Sequence, residues 1–124
     1  MVARTMTRTY RSAELPIHRA ILHYLQLRFP HAVIHHSSQN IGVEGKAVAR
    51  AVALAKSMGM QVGFPDLIVI YGGHIIGFEV KAEGGPTSEA QRKVGALFML
   101  NGGCWAVVRS IDDVVQYLKE WGVE

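Results

Sequence analysis

The chain has 124 residues, 49% of them hydrophobic and 19% charged, a balance that excludes an intrinsically disordered segment and allows one packed core. A formal charge of +3 and a pI near 9.2 are compatible with a polyanionic partner but are too small a surplus to identify one. The lone cysteine, Cys104, excludes an internal disulfide, and no apolar run reaches membrane-spanning length, so a reducing, cytoplasmic setting without membrane contact is expected.

In chain order, residues 1–11 carry Arg4, Arg8 and Arg11 among polar neighbours and read as a flexible basic arm ahead of a single domain over 12–124. Ser12 is placed to cap a helix from about residue 13 to 28, with Pro16 tolerated because the first backbone donors of a helix have no partner inside it. Ile17, Ala20, Ile21, Tyr24, Leu25 and Leu27 form its apolar stripe, Pro30 ends it, and 32–36 is a short candidate strand. Helical spacing returns over 43–58 through Val48, Ala51, Val52, Leu54, Ala55 and Met58, with Gly59 as the C-terminal stop. Met58 and Met60 read as core filler.

The stretch 63–81, GFPDLIVIYGGHIIGFEVK, holds two apolar runs around Gly72-Gly73, a strong signal for a tight antiparallel hairpin. Ser88 and Gln91 then form a capping box for a helix ending near Leu100, and Gly102-Gly103 stops it. An apolar strand over 104–109 buries Cys104, and Ser110 with Asp113 caps a last helix to about Trp121. The order α, β, α, β, β, α, β, α predicts an α/β fold: a mixed sheet with helices on both faces.

The hairpin also carries chemistry. If Tyr71 pairs with His74, Asp66 falls opposite Glu79, and two carboxylates so apposed repel unless a cation intervenes. Lys81 lies two residues from Glu79, on the same strand face. Two carboxylates and an amine at a sheet end are what metal-assisted phosphodiester hydrolysis requires, since carboxylate oxygens hold a hard divalent cation and the amine acts on the water or on developing charge. A salt bridge from Lys81 to either carboxylate is the structural alternative.

Pro65-Asp66 followed by Glu79-Val80-Lys81 resembles the signature of the PD-(D/E)XK nuclease superfamily. The surrounding segments MGMQVGFPDLIVI (58–70) and GFEVKAEGGPTSEAQRKVGALFMLNGGCWAVVRSIDDVVQYL (77–118) resemble its VRR-NUC branch. The resemblance implies a restriction-endonuclease-like core and a Mg²⁺- or Mn²⁺-dependent endonuclease acting on branched, junction or flap DNA, as in DNA repair. It also implies a homodimer. By the same resemblance Asp66 and Glu79 are metal-binding acids, Lys81 is the catalytic lysine, and the Val80 carbonyl completes the metal shell. Glu14, opening the first helix, matches a further acidic ligand; the alternative is a solvated glutamate favoured by the helix dipole. Gln91 matches a glutamine near the metal, besides its capping role. Asn40, Lys46 and Arg50 correspond to the connecting segment and are candidates for DNA backbone contact. Of His35 and His36 at most one can face the site, because alternate strand residues point opposite ways. The competing class is a non-catalytic module that binds nucleic acid or a partner on a nuclease fold.

Overall fold

The computed structural model describes the backbone of residues 2–37 and 46–124, and side chains from Ser12 onward within those ranges. The elements are α1 (Val2–Arg28), β1 (Val33–His36), α2 (Lys46–Ser57), β2 (Leu67–Tyr71), β3 (His74–Val80), α3 (Glu89–Leu100), β4 (Cys104–Val108) and α4 (Ile111–Glu120). Their order is the one expected from the sequence.

The first helix departs from expectation. It begins at Val2, so the backbone of the basic segment 2–11 is helical and Ser12 is an interior residue, not a cap. Pro16 suggests a helix start, yet nothing N-terminal to it in 2–15 is Gly or Pro, so no breaker interrupts the helix. Pro16 removes one backbone bond, and the helix runs on. The other caps are as read: Ser88 and Gln91 close a reciprocal capping box on α3, and the Ser110 side chain accepts from the Asp113 amide at α4.

The sheet order is β1-β2-β3-β4. The β2–β3 hairpin keeps the expected register from Tyr71↔His74 to Leu67↔Phe78. Gly72 and Gly73 both have positive φ, 56° and 83°, the requirement of a two-residue primed turn. β1 is antiparallel to β2, whereas β4 runs parallel to β3, which the crossover through α3 permits.

Alternation divides the strands between two faces. Leu67, Val69, Ile76, Phe78, Val80, Ala106 and Val108 point to one face and form the core with Ile21 and Leu25 of α1 and Val114 and Leu118 of α4. Helix α3 covers the other face. There Gly95 lets it close on the Trp105 ring, where an added Cβ would come within 2.3 Å, and Gly77 lies beneath Phe98. The expected two-sided layering is therefore present. Leu27 is exposed although helical spacing puts it in the α1 stripe; Leu25 and Phe29 on either side of it are buried, so it points to the other side of the chain from them. α2 has the expected helical period but buries no residue, and Met58 beyond it is exposed rather than core. Amphipathic spacing specifies a helix but not the surface it docks on.

One close approach of two main chains shapes the end of the sheet. Gly63, at φ +86°, has its Cα so close to the Ala90 main chain that a Cβ would lie 2.4 Å away. The loop entering β2 is thus drawn against the first turn of α3, and Asp66 and Gln91 come to the same end of the sheet. Among the described residues no helix is long and apolar enough to cross a membrane.

Candidate active site

Asp66 sits just past the end of the β2 ladder and is clamped from both neighbouring strands. The Val80 amide donates to its Oδ2 at 2.8 Å. On the other side its carbonyl accepts from the Ser37 amide at 2.9 Å and from His36 Nδ1 at 3.1 Å. Extension of the hairpin register sets it against Glu79. Glu79 is 1% exposed, the one buried charged side chain among the described residues.

Gln91 joins Glu79 to α3. Its Oε1 accepts from the Ser88 amide at 2.8 Å, which fixes the amide orientation and turns Nε2 toward Glu79 Oε1 at 2.9 Å. One side chain both caps the helix and contacts the site, the two roles open to Gln91 from its sequence position.

The electrostatics are unfavourable for a metal-free pair. Burial, then the hydrogen bond to and repulsion from Asp66, push the Glu79 carboxyl up to about 9. Glu14 adds to this and Lys81 opposes it. If both carboxyls are ionised, neither can donate, and Glu79 Oε2 is buried without a donor; if Glu79 is protonated, its hydroxyl can bond Asp66. A buried acceptor with no donor costs on the order of 1–3 kcal/mol, and a cation at that oxygen would remove the deficit. No ion pair links Lys81 to Asp66 or Glu79. It influences Glu79 through space, so the salt-bridge alternative lacks its contact.

The donor set is all oxygen, which suits a hard cation. No three His, Cys, Asp or Glu side chains among the described residues cluster tightly enough to cage a metal.

Glu14 is not at a helix start but in the interior of α1, so the dipole explanation for it falls. It is half-buried, with Oε1 about 3.7 Å from where a Cβ of Gly85 would lie, in the loop after β3, and it reaches Glu79 electrostatically. Lys46 and Arg50 are exposed on α2, and Asn40 lies outside the described residues. Of the two histidines, His36 is the one bonded to Asp66, at its main-chain carbonyl; His35, paired with Ile68, points to the other side of β1 from His36.

His18 escapes a reading of the sequence alone. Its ring packs edge-to-face against His36 with centroids 4.6 Å apart. Burial and then His36 hold its pKa below the usual histidine value, with Asp66 opposing. The available signal is spacing: His18 follows Glu14 by four residues, so both lie on one face of α1. Arg109, equally silent in the sequence, donates from Nη1 to the Ala82 carbonyl, tying the end of β4 to the segment after Lys81.

No protein-family model matches the chain, and no curated protein does. Among solved structures it is similar to a VRR_NUC domain protein, with a TM-score of 0.64 and 22% identity over 86% of this chain and 84% of the other. The chain has a VRR-NUC fold. The likeness covers most of both chains, so it concerns the α/β fold and not a local motif. At this identity it is a likeness of fold, and the chemistry has to be argued from the side chains.

Proposed function

We infer that this VRR-NUC-fold chain is a Mg²⁺- or Mn²⁺-dependent endonuclease that hydrolyses DNA phosphodiester bonds and selects branched, junction or flap structures. The observation that carries the reading is the apposition of Asp66 with a buried Glu79 whose Oε2 has no donor, beside a lysine that pairs with neither. The fold shared with a VRR_NUC domain protein supports a nuclease-type activity.

Asp66, Glu79 and the Val80 carbonyl would hold the cation, with Glu14 as a further oxygen from α1. When bound, the cation polarises the phosphate and acidifies a water. Gln91 holds Glu79 by Oε1 and leaves Oε2 for the site. The Val80 amide fixes the Asp66 carboxylate, so neither acid must reorganise during the reaction. The Lys81 ammonium neutralises charge that develops on the phosphate. Exposed Lys46 and Arg50 supply backbone contacts, which carry affinity and orientation but no base sequence; shape selectivity is the consequence.

Protein stripped with EDTA should neither nick plasmid nor cut junction substrates, and Mg²⁺ or Mn²⁺ should restore both. Full cleavage in excess EDTA would exclude the metal mechanism. DNA binding with no cleavage under any metal would identify the non-catalytic module.

The same reading includes a two-fold homodimer, because one such site cuts one strand and a junction presents two. Val33, Ile70 and Ile75 pair across three strands and stay 58%, 43% and 51% exposed, an apolar row suited to covering by a second copy. Sedimentation should give twice the 13.6 kDa chain mass at micromolar concentration; a monomer with and without DNA would refute the dimer.

A further inference from the structure

Asp66 lies one residue outside β2, where the regular ladder no longer holds the backbone. Two donors from the β1 side nonetheless converge on its carbonyl, the Ser37 amide at 2.9 Å and His36 Nδ1 at 3.1 Å. A carbonyl only accepts, so Nδ1 carries the proton. The Ser37 bond is the next rung of the β1–β2 register after His36↔Leu67. The imidazole bond is additional and comes from a side chain. His36 is itself exposed, so burial does not explain its orientation. The orientation is set on one side by the Asp66 carbonyl and on the other by the half-buried His18 ring. With Val80 holding the carboxylate from β3, Asp66 is fixed at main chain and side chain together.

We propose that His36, buttressed by His18, is a positioning residue for Asp66: its Nδ1–H bond to the Asp66 carbonyl sets the direction in which the carboxylate enters the site. The inference rests on the reading of Asp66 and Glu79 as the metal-binding pair. Partners that orient metal ligands typically contribute 10–100-fold to metal affinity or activity. His36 touches no atom of the proposed donor set directly, so its removal acts through geometry.

The test compares wild type with His36→Leu, which removes the donor and keeps bulk, and His36→Asn, whose amide nitrogen can stand where Nδ1 stood. His74→Leu, at the hairpin turn and so at the other end of the sheet, is the control. For each, the melting temperature is followed through a Mn²⁺ titration, and kcat and KM are measured on junction DNA. His36→Leu should raise the Mn²⁺ midpoint or lower kcat by roughly 10–100-fold, with KM for DNA and the metal-free melting temperature near wild type. His36→Asn should recover most of the loss, and His74→Leu should match wild type. Loss of fold stability without any change in Mn²⁺ midpoint or kcat would reduce His36 to a structural residue and overturn the proposal. So would an Asn variant as impaired as Leu, because the hydrogen bond would then not be the cause. If wild type itself neither responds to Mn²⁺ nor cleaves, the site reading fails first and the inference with it; if wild type does both and His36→Leu is unaffected, only the inference fails.

Discussion

Lys81→Met is expected to fold, to keep the full stabilisation by Mn²⁺, and to lose roughly 10²- to 10⁴-fold in cleavage rate, the range for removing a positioned charge or proton-transfer group. The expectation stems from what Lys81 does not do. It makes no ion pair with Asp66 or Glu79, so its removal breaks no contact that holds the hairpin. It lowers the Glu79 pKa only through space, and the metal-free fold should soften slightly. Glu79→Gln separates the roles. The substitution removes one of two facing carboxylates and an acid that burial already disfavours ionising, so the metal-free melting temperature should rise, while metal-induced stabilisation and cleavage both disappear. Melting temperature with and without Mn²⁺, beside cleavage rate, distinguishes the variants. A Lys81→Met protein that cuts near the wild-type rate, or a Glu79→Gln protein that keeps the whole metal shift, would refute the assigned roles.

The second large effect is a change in the sign of the pH dependence. Glu79 has a folded-state pKa raised to about 9 from an ordinary 4.5, so between those values the folded chain binds more protons than the unfolded one. Its contribution to stability is full below 4.5 and is lost progressively as pH rises toward 9, at a slope approaching about 1.4 kcal/mol per pH unit. His18 is shifted the other way, so its contribution to the slope ends as pH passes the ordinary histidine value, and above pH 7 the slope comes from Glu79 with a smaller addition of the same sign from Cys104, whose thiol burial also pushes up. In EDTA, the protein should therefore melt lower at pH 8.5 than at pH 7, by roughly 5–10 °C for about 1–2 kcal/mol in a domain of this size. With saturating Mg²⁺ the slope should reverse, because metal competes with the proton for the same oxygens and binds better as pH rises. Glu79→Gln should flatten both curves. A metal-free melting temperature unchanged from pH 7 to 8.5 would show that Glu79 is already ionised in the folded chain.

Much of this architecture is written in local patterns. Gly72-Gly73 admits a primed turn and sets the hairpin register, and that register alone brings Asp66 and Glu79 together. Ser88 and Gln91 announce the start of α3, and Ser110 that of α4, because capping is a contact between residues three apart. The resemblance of Pro65-Asp66 and Glu79-Val80-Lys81 to a nuclease signature anticipates the fold that the solved neighbour shares. These features depend on residues close in sequence or on a two-stranded ladder, so spacing is sufficient to read them.

Other features need the assembled chain. Spacing does not tell that α2 buries nothing while α1 passes through Pro16 and carries Glu14 in its interior, since periodicity describes a helix and not its neighbours. The Glu79 pKa comes from burial under α3 together with Asp66, and burial is a property of the packed molecule. That Lys81 forms no ion pair with Asp66 or Glu79 is likewise a matter of packing, because alternation sets a face and not a distance. His18 and His36 meet across α1 and β1, and Gly63 draws the β2 entry loop onto α3. The sequence by itself determined the hairpin, its caps and its facing carboxylates; only tertiary packing decided which of their neighbours touch them, because those contacts join residues that no local rule relates.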